Sequence, residues 1–178
     1  VIGILSITAT VFSKQKPNVL FLMSDDLNTA LSGFGHPQCK TPELDKLAQR
    51  GLRFENMHCQ YPVCGASRAS LMSGLYPYAN GTLGNAGTLR GNMPDVVTMS
   101  QLFRKNGYRV GRVSKIYHMG IPPEILAGTA TRDDPHSWDE VVNIKAPEQN
   151  APGKKTNWSP KNKSSQSFTG VVAEGDDL

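Results

Sequence analysis

Cysteine is scarce in this chain: three residues in 178, Cys39, Cys59 and Cys64. That excludes a disulfide-stapled scaffold. Blocks of lysine and arginine are also missing, and a formal net charge of only +4 removes nucleic acid as the default partner. Such a balance suits a small anionic ligand better than a polyanion. No internal repeat marks a solenoid. No apolar run reaches the roughly 20 residues that span a bilayer. The longest, Val1 to Phe12, reads as the apolar region of an export signal, with Val11 and Ser13 at the small positions before a cut. A buried first strand is the other reading of that run.

What is present is enough for one core. Apolar residues make up 38% of the chain, and the length suits one domain or a large piece of one. The run NVLFLM, Asn18 to Met23, is bounded by Pro17 and by Ser24-Asp25-Asp26, as is a strand buried on both faces of a parallel sheet. TPELDKLAQRG predicts a short helix: Thr41 is placed to cap, Pro42 to open, and Gly51 to stop it, with Leu44, Leu47 and Ala48 as its apolar stripe. Leu52 to Met57 alternates like a second strand. A helix is expected over about Ala66 to Met72 with Gly74 as its stop. Another starts at Thr98, with Gln101 as capping-box partner and Leu102 and Phe103 turned inward, and closes at Asn106-Gly107. Tyr108 to Val113 then predicts a strand that delivers Ser114-Lys115-Ile116-Tyr117-His118 at its carboxyl end. Alternating strands and helices imply an α/β fold, a mostly parallel sheet covered on both faces. The stretch from Asn80 to Asn92 reads as a surface loop. From Lys145 onward the chain is polar and proline-punctuated, an excursion or a disordered stretch.

The chemistry concentrates in QYPVCGASRASLMSGLYP. A cysteine at the mouth of a helix faces the positive end of the backbone dipole and unpaired amide donors. Arg68, four positions on, folds back to the same spot. Both features point an anion at Cys64. The bland alternative is a small buried residue at a helix start. A cysteine-dependent phosphatase loop needs its arginine six positions after the cysteine, where this chain has Ser70, so that chemistry is excluded. Asp25 and Asp26 are adjacent carboxylates at a strand end, and two such charges stay ionised together most readily beside a cation. The alternative is a solvated acidic loop. Cys39 and Cys59 could pair and leave Cys64 as the odd thiol, which spacing alone does not decide. A zinc site from Cys39, His58, Cys59 and Cys64 matches no familiar ligand spacing.

Cys64-Gly65-Ala66-Ser67-Arg68, followed by Leu71, Met72 and Gly74, resembles the CxPSR signature of the sulfatases. It departs from the usual pattern at Ala66, where proline is the common residue. PNVLFLMSDD is similar to the opening of that family, and SKIYHMG to its KxxH segment. KTPELDKLAQRGLRFENMHCQYPVC, TMSQLFRKNGYRVGRVSKIYH and DDPHSWDE together look most like the iduronate-2-sulfatase branch, over about Pro17 to Asp139.

The resemblance implies an alkaline-phosphatase-like α/β fold. It also implies that a formylglycine-generating enzyme oxidises Cys64 to formylglycine, whose hydrate attacks sulfur through one hydroxyl and expels sulfate through the other. It assigns Asp25, Asp26 and residue 64 to a divalent ion, usually calcium, and Arg68 and Lys115 to the negative charge. His118 becomes the base, and a sulfated carbohydrate the substrate. The division it implies is a signal remnant at 1–13, the N-terminal part of a catalytic domain at 17–144 and a polar excursion at 145–178. Further metal and sulfate ligands are expected beyond the chain end. Two rival functions stand beside this one: a phosphate-ester hydrolase of the same superfamily, which would use serine or threonine and usually two zinc ions, and a truncated relative without catalysis. Lys154, Lys155, Lys161 and Lys163 read as a solvated loop, with attraction of a sulfated glycan as the alternative. Asn80, Asn157 and Asn162 begin glycosylation sequons.

Overall fold

The computed structural model describes residues 16–120 and 123–145, with the backbone of two further segments, 154–158 and 168–172. The expected export signal at 1–13 lies outside the described residues. Helix α1 spans Pro42–Arg50, with Pro42 where the missing N–H costs nothing and Glu43 and Asp45 facing the positive end of the dipole. Thr41 does not cap it as its position predicts. Its hydroxyl lies 2.7 Å from Ser32 Oγ, which donates to Asp45 Oδ2 at 2.6 Å and so ties the preceding turn, Ser32–Phe34, to the helix. Leu44 and Leu47 are exposed, not inward.

Helix α2 spans Cys64–Ser73, two residues longer at its start than the sequence predicts, and ends at Gly74 with a φ of 71°. Only glycine takes that left-handed stop without steric cost. Short helices follow at α3, Pro77–Asn80, and α4, Leu89–Asn92, inside what reads as loop. Asn80 is buried, and its amide donates to Ser70 Oγ and the Leu75 carbonyl, both at 3.3 Å. The sequon at Asn80 therefore marks an internal staple, not an accessible acceptor. Helix α5, Met99–Lys105, carries the expected capping box of Thr98 and Gln101. Leu102 nevertheless points to solvent.

Strand β1, Gly111–Val113, pairs in parallel with β2, Glu140–Val142, so that Arg112 lies opposite Val141. Helix α6, Pro123–Ala127, lies between them in the chain. Parallel pairing across a helical connection is the unit of an α/β sheet. The polar stretch after residue 145 holds a hairpin: β3, Lys154–Trp158, runs antiparallel to β4, Phe168–Val172.

The core gathers Ala69 and Met72 of α2, Leu89 of α4, Tyr117 and Trp138, with Met99, Val110 and Ile116 packed around them. Tyr117 and Trp138 meet edge to face, their centroids 6.2 Å apart. Residues 18–23 pair with no strand among the described residues, and residues 52–57 form none. Val19, Leu20 and Leu22 are 58%, 82% and 73% exposed. A strand loses its apolar side chains to a sheet only when neighbours flank it. Here a cavity of about 720 Å³ separates residues 18–22 from 110–116, walled also by Met72, Phe103 and Trp138.

Candidate active site

Three element ends converge. The apolar segment 18–23 leads to Asp25 and Asp26, the latter at a φ of 50°. Helix α2 begins at Cys64. Strand β1 leads through Ser114 into Lys115 and His118. Ligand atoms of Asp25, Asp26 and Cys64 lie within 4.8 Å of one another, so two carboxylates and one cysteine face a common point.

Asp25 is the hub. Arg68 Nη2 donates to its Oδ1 at 2.7 Å, and Lys115 Nζ to its Oδ2 at 2.5 Å. Burial pushes the Asp25 carboxyl up, but the hydrogen bonds and charges of Lys115 and Arg68 outweigh it and hold the group below the usual carboxylate range. Arg68 sits on the buried face of α2 beside Ala69 and Met72. Its Nη1 donates to the carbonyls of Lys115, at 3.1 Å, and Ile116, at 2.8 Å. One planar fork thus joins all three segments, which a lysine cannot do.

The mouth of α2 is closed from outside the helix. Val63 stands at the N-cap with no side chain able to accept. Asn85 supplies the acceptor instead: the Gly65 N–H donates to its Oδ1 at 2.8 Å. The approach is so close that a Cβ on Gly65 would lie 2.3 Å from the Gly84 carbonyl oxygen. Ala66, in the position of the usual proline, is fully buried. The first backbone bond of the helix runs from Ser67 N–H to the Val63 carbonyl.

His118 is half-buried, and its Nδ1 is enclosed without a hydrogen-bond partner among the described residues. Burial, and then the positive charges of Lys115, Arg132 and Arg68, push its imidazole below the ordinary value of 6.5, opposed by Glu124. These surroundings favour its neutral form. Glu124 accepts from the N–H groups of Gly120 and Thr131 and from the Thr131 hydroxyl, which fixes the loop after His118. On the other side, Tyr117 turns inward to Ser137, 3.1 Å from its hydroxyl.

The structure thus brings Asp25, Asp26, Cys64, Arg68 and Lys115 together and puts His118 within the field of Lys115 and Arg68. Asn85 and Arg132 also border this site, and neither carries a clear signal in the sequence. Asn85 belongs to a Gly/Asn-rich loop with no local signal, and Arg132 precedes an acidic pair that masks it. All three cysteines are free thiols, so Cys39 and Cys59 do not pair. Among the described residues no zinc cluster forms around Cys39, His58 and Cys59.

The sulfatase family model matches residues 17–169. The chain is 36% identical over 126 residues to arylsulfatase A of Bos taurus, covering 67% of this chain and 24% of that protein. It is 33% identical over 121 residues to iduronate 2-sulfatase of Homo sapiens, covering 68% and 21%. These identities are too similar to single out a branch. The crystal structure of Ps i-CgsB superposes with a TM-score of 0.58 at 34% identity, covering 71% of this chain and 28% of that one. The chain spans about a quarter of the length of these relatives. With a match that takes in the acidic pair, the cysteine helix and the lysine–histidine turn, this chain belongs to the sulfatase family.

Proposed function

We propose that the protein is a sulfuric ester hydrolase acting on a sulfated sugar, with residue 64 as nucleophile after oxidation of Cys64 to formylglycine. The observation that carries this reading is the convergence of Asp25, Asp26 and Cys64 within 4.8 Å, with both Arg68 and Lys115 on Asp25. Buried cations beside a nucleophile stabilise the charge that develops on sulfate oxygens. In this reading Arg68 and Lys115 hold those oxygens, and neutral His118 takes a proton from the second hydroxyl of residue 64.

The donor set bears on the metal. Two carboxylates are hard ligands that suit calcium, whereas a thiolate is soft and suits zinc. Oxidation of residue 64 replaces sulfur by oxygen and makes the cluster uniformly hard. Asp25, Asp26 and residue 64 would hold the calcium ion, which polarises the sulfate oxygens when bound. The likeness of KTPELDKLAQRGLRFENMHCQYPVC, TMSQLFRKNGYRVGRVSKIYH and DDPHSWDE to iduronate-2-sulfatases supports a sulfated sugar as substrate. The apolar run Val1 to Phe12 supports export, and residue 64 needs a formylglycine-generating enzyme as partner. The catalytic domain is taken to begin at residue 17.

The test uses the protein expressed from its complete reading frame. Mass spectrometry of the peptide carrying residue 64 should show aldehyde in place of thiol. A chromogenic sulfate ester should turn over, with loss on calcium chelation and recovery with calcium but not zinc. An unmodified thiol together with no turnover would favour an inert relative. Preferential hydrolysis of the phosphate ester would favour the phosphatase.

A further inference from the structure

Two buried arginines hold three consecutive carbonyls where β1 ends. Arg68 grips those of Lys115 and Ile116. Arg112 Nη1 donates to that of Ser114 at 2.7 Å. Arg112 is the middle residue of β1, and its side chain is only 2% exposed, at a position where a sheet core ordinarily takes an apolar residue. Its Nε and Nη2 both donate to Asp133 Oδ2, at 2.7 and 2.5 Å, and Nη1 also reaches Asn143 Oδ1 at 2.9 Å. Asp133 is fixed in turn by the indole N–H of Trp138, 3.0 Å from its Oδ1.

The grip falls on a strained residue. Ser114 has a φ of 61°, in the left-handed region that a Cβ disfavours. Its N–H still bonds the Val142 carbonyl at 2.8 Å, so the chain leaves the ladder and turns within one residue. The next residue, Lys115, reaches Asp25. A serine keeps such a conformation only where its surroundings over-determine it, and the Arg112 bond to its carbonyl supplies that constraint.

We propose that Arg112, braced by Asp133, is a positioning residue: it holds Ser114 in the left-handed turn and so aims Lys115 at Asp25 and at the substrate anion. The kinetic consequence rests on the sulfate-ester reading, while the placement of Lys115 does not. Glycine takes the left-handed region without cost, so Ser114→Gly should make Arg112 dispensable for this purpose. A purely structural role for the buried ion pair predicts no such rescue.

The experiment compares the parent protein with Arg112→Met, Arg112→Met/Ser114→Gly and Arg112→Lys. Two readouts are taken: kcat and KM on a chromogenic sulfate ester, and the rate of reductive methylation of Lys115 followed by peptide mass. Arg112→Met should lower kcat on the order of 10- to 100-fold with little change in KM, the loss typical of a misplaced catalytic group. Methylation of the loosened Lys115 should accelerate severalfold. Adding Ser114→Gly should bring both to within about threefold of the parent, because glycine enters the left-handed region without the Cβ penalty that the Arg112 bond offsets in serine. Should Arg112→Met not fold, Arg112→Lys keeps a charge opposite Asp133 but cannot also grip the carbonyl, and should move both readouts the same way. Parental kcat and methylation in the folded Arg112 variants would overturn the proposal, as would failure of Ser114→Gly to restore either readout. An inactive parent counts against the sulfate-ester reading alone, since the methylation rates still decide the placement of Lys115.

Discussion

Arg68 and Asp25 meet at 2.7 Å, one from the buried face of a helix and the other from the end of the apolar segment 18–23. The arginine side chain is almost wholly enclosed, and the same guanidinium carries two carbonyls of the β1 turn. Arg68→Lys keeps the charge but cannot serve three acceptors in a plane. Two carbonyls and part of a carboxylate then lose their partners. Because Asp25 is partly open to solvent, the ion pair itself adds little to the loss; the two carbonyls left without a donor cost about 1–3 kcal/mol each, and thermal unfolding should show the loss as a fall in Tm. A Tm equal to that of the parent would mean that the fork is not what ties the three segments together.

Gly65 gives a steric test of the loop that closes the mouth of α2. A Cβ there would lie 2.3 Å from the Gly84 carbonyl oxygen, a backbone atom that cannot swing aside as a side chain does. Gly65→Ala should therefore push residues 84–85 away from residue 64 and break the bond from Gly65 N–H to Asn85. Asn85→Ala removes only that bond, and loss of a helix cap costs about 1 kcal/mol. The alanine at 65 should be the more damaging by both Tm and turnover. If the two variants behave alike, the hydrogen bond and not the close packing holds the loop.

The pH dependence of turnover should report the charges around His118. Its imidazole lies below 6.5, first through burial and then through Lys115, Arg132 and Arg68. A base acts in its neutral form, so the acid limb of kcat/KM should fall below pH 6.5 and activity should rise as pH passes through it. Arg132→Met removes one positive charge, makes the imidazolium easier to form and raises the His118 pKa. The acid limb then moves to higher pH. A shift to lower pH, or none, would show that another group governs that limb.

The residues of the candidate site were legible because each lies beside a local signal. The acidic pair follows an apolar run, Cys64 opens a helix that Gly74 closes, and Lys115 follows a short strand. The capping box at Thr98 is equally local. Strand pairing was not legible in this way. Residues 18–23 have the composition of a buried strand, yet composition says nothing of which neighbour lies alongside, and here they stand apart from β1 across a cavity. The supporting contacts were hidden for the same reason. Arg112 and Asp133 are 21 residues apart and Gly65 and Asn85 are 20, and a charged residue in a strand reads as solvent-facing until its partner is seen. Asn80 shows the converse, since a sequon is readable in the chain but its burial is not.

Asp134 provides a measurement of stability that needs no substrate. Its carboxylate is 3% exposed, accepts from Arg90 Nε at 3.1 Å and Nη2 at 2.7 Å, and accepts from Ser137 Oγ at 2.7 Å. Burial pushes its pKa up, but the bonds from Arg90 and Ser137 and the Arg90 charge prevail, so the folded value lies below the ordinary 3.8. A depressed folded pKa means that the unfolded chain binds the proton more readily. The stabilisation is complete above the unfolded value and disappears as pH falls through the folded one. Asp134→Asn cannot be charged at any pH, so it should lower Tm at pH 7 by the equivalent of about 3 kcal/mol. Below the folded pKa of Asp134 the difference between variant and parent should shrink, because the parent is then protonated as well. Denaturation curves collected from pH 7 down to the acid transition would show that convergence. A gap of constant size would assign the loss to side-chain shape and hydrogen-bond geometry rather than to the charge on Asp134.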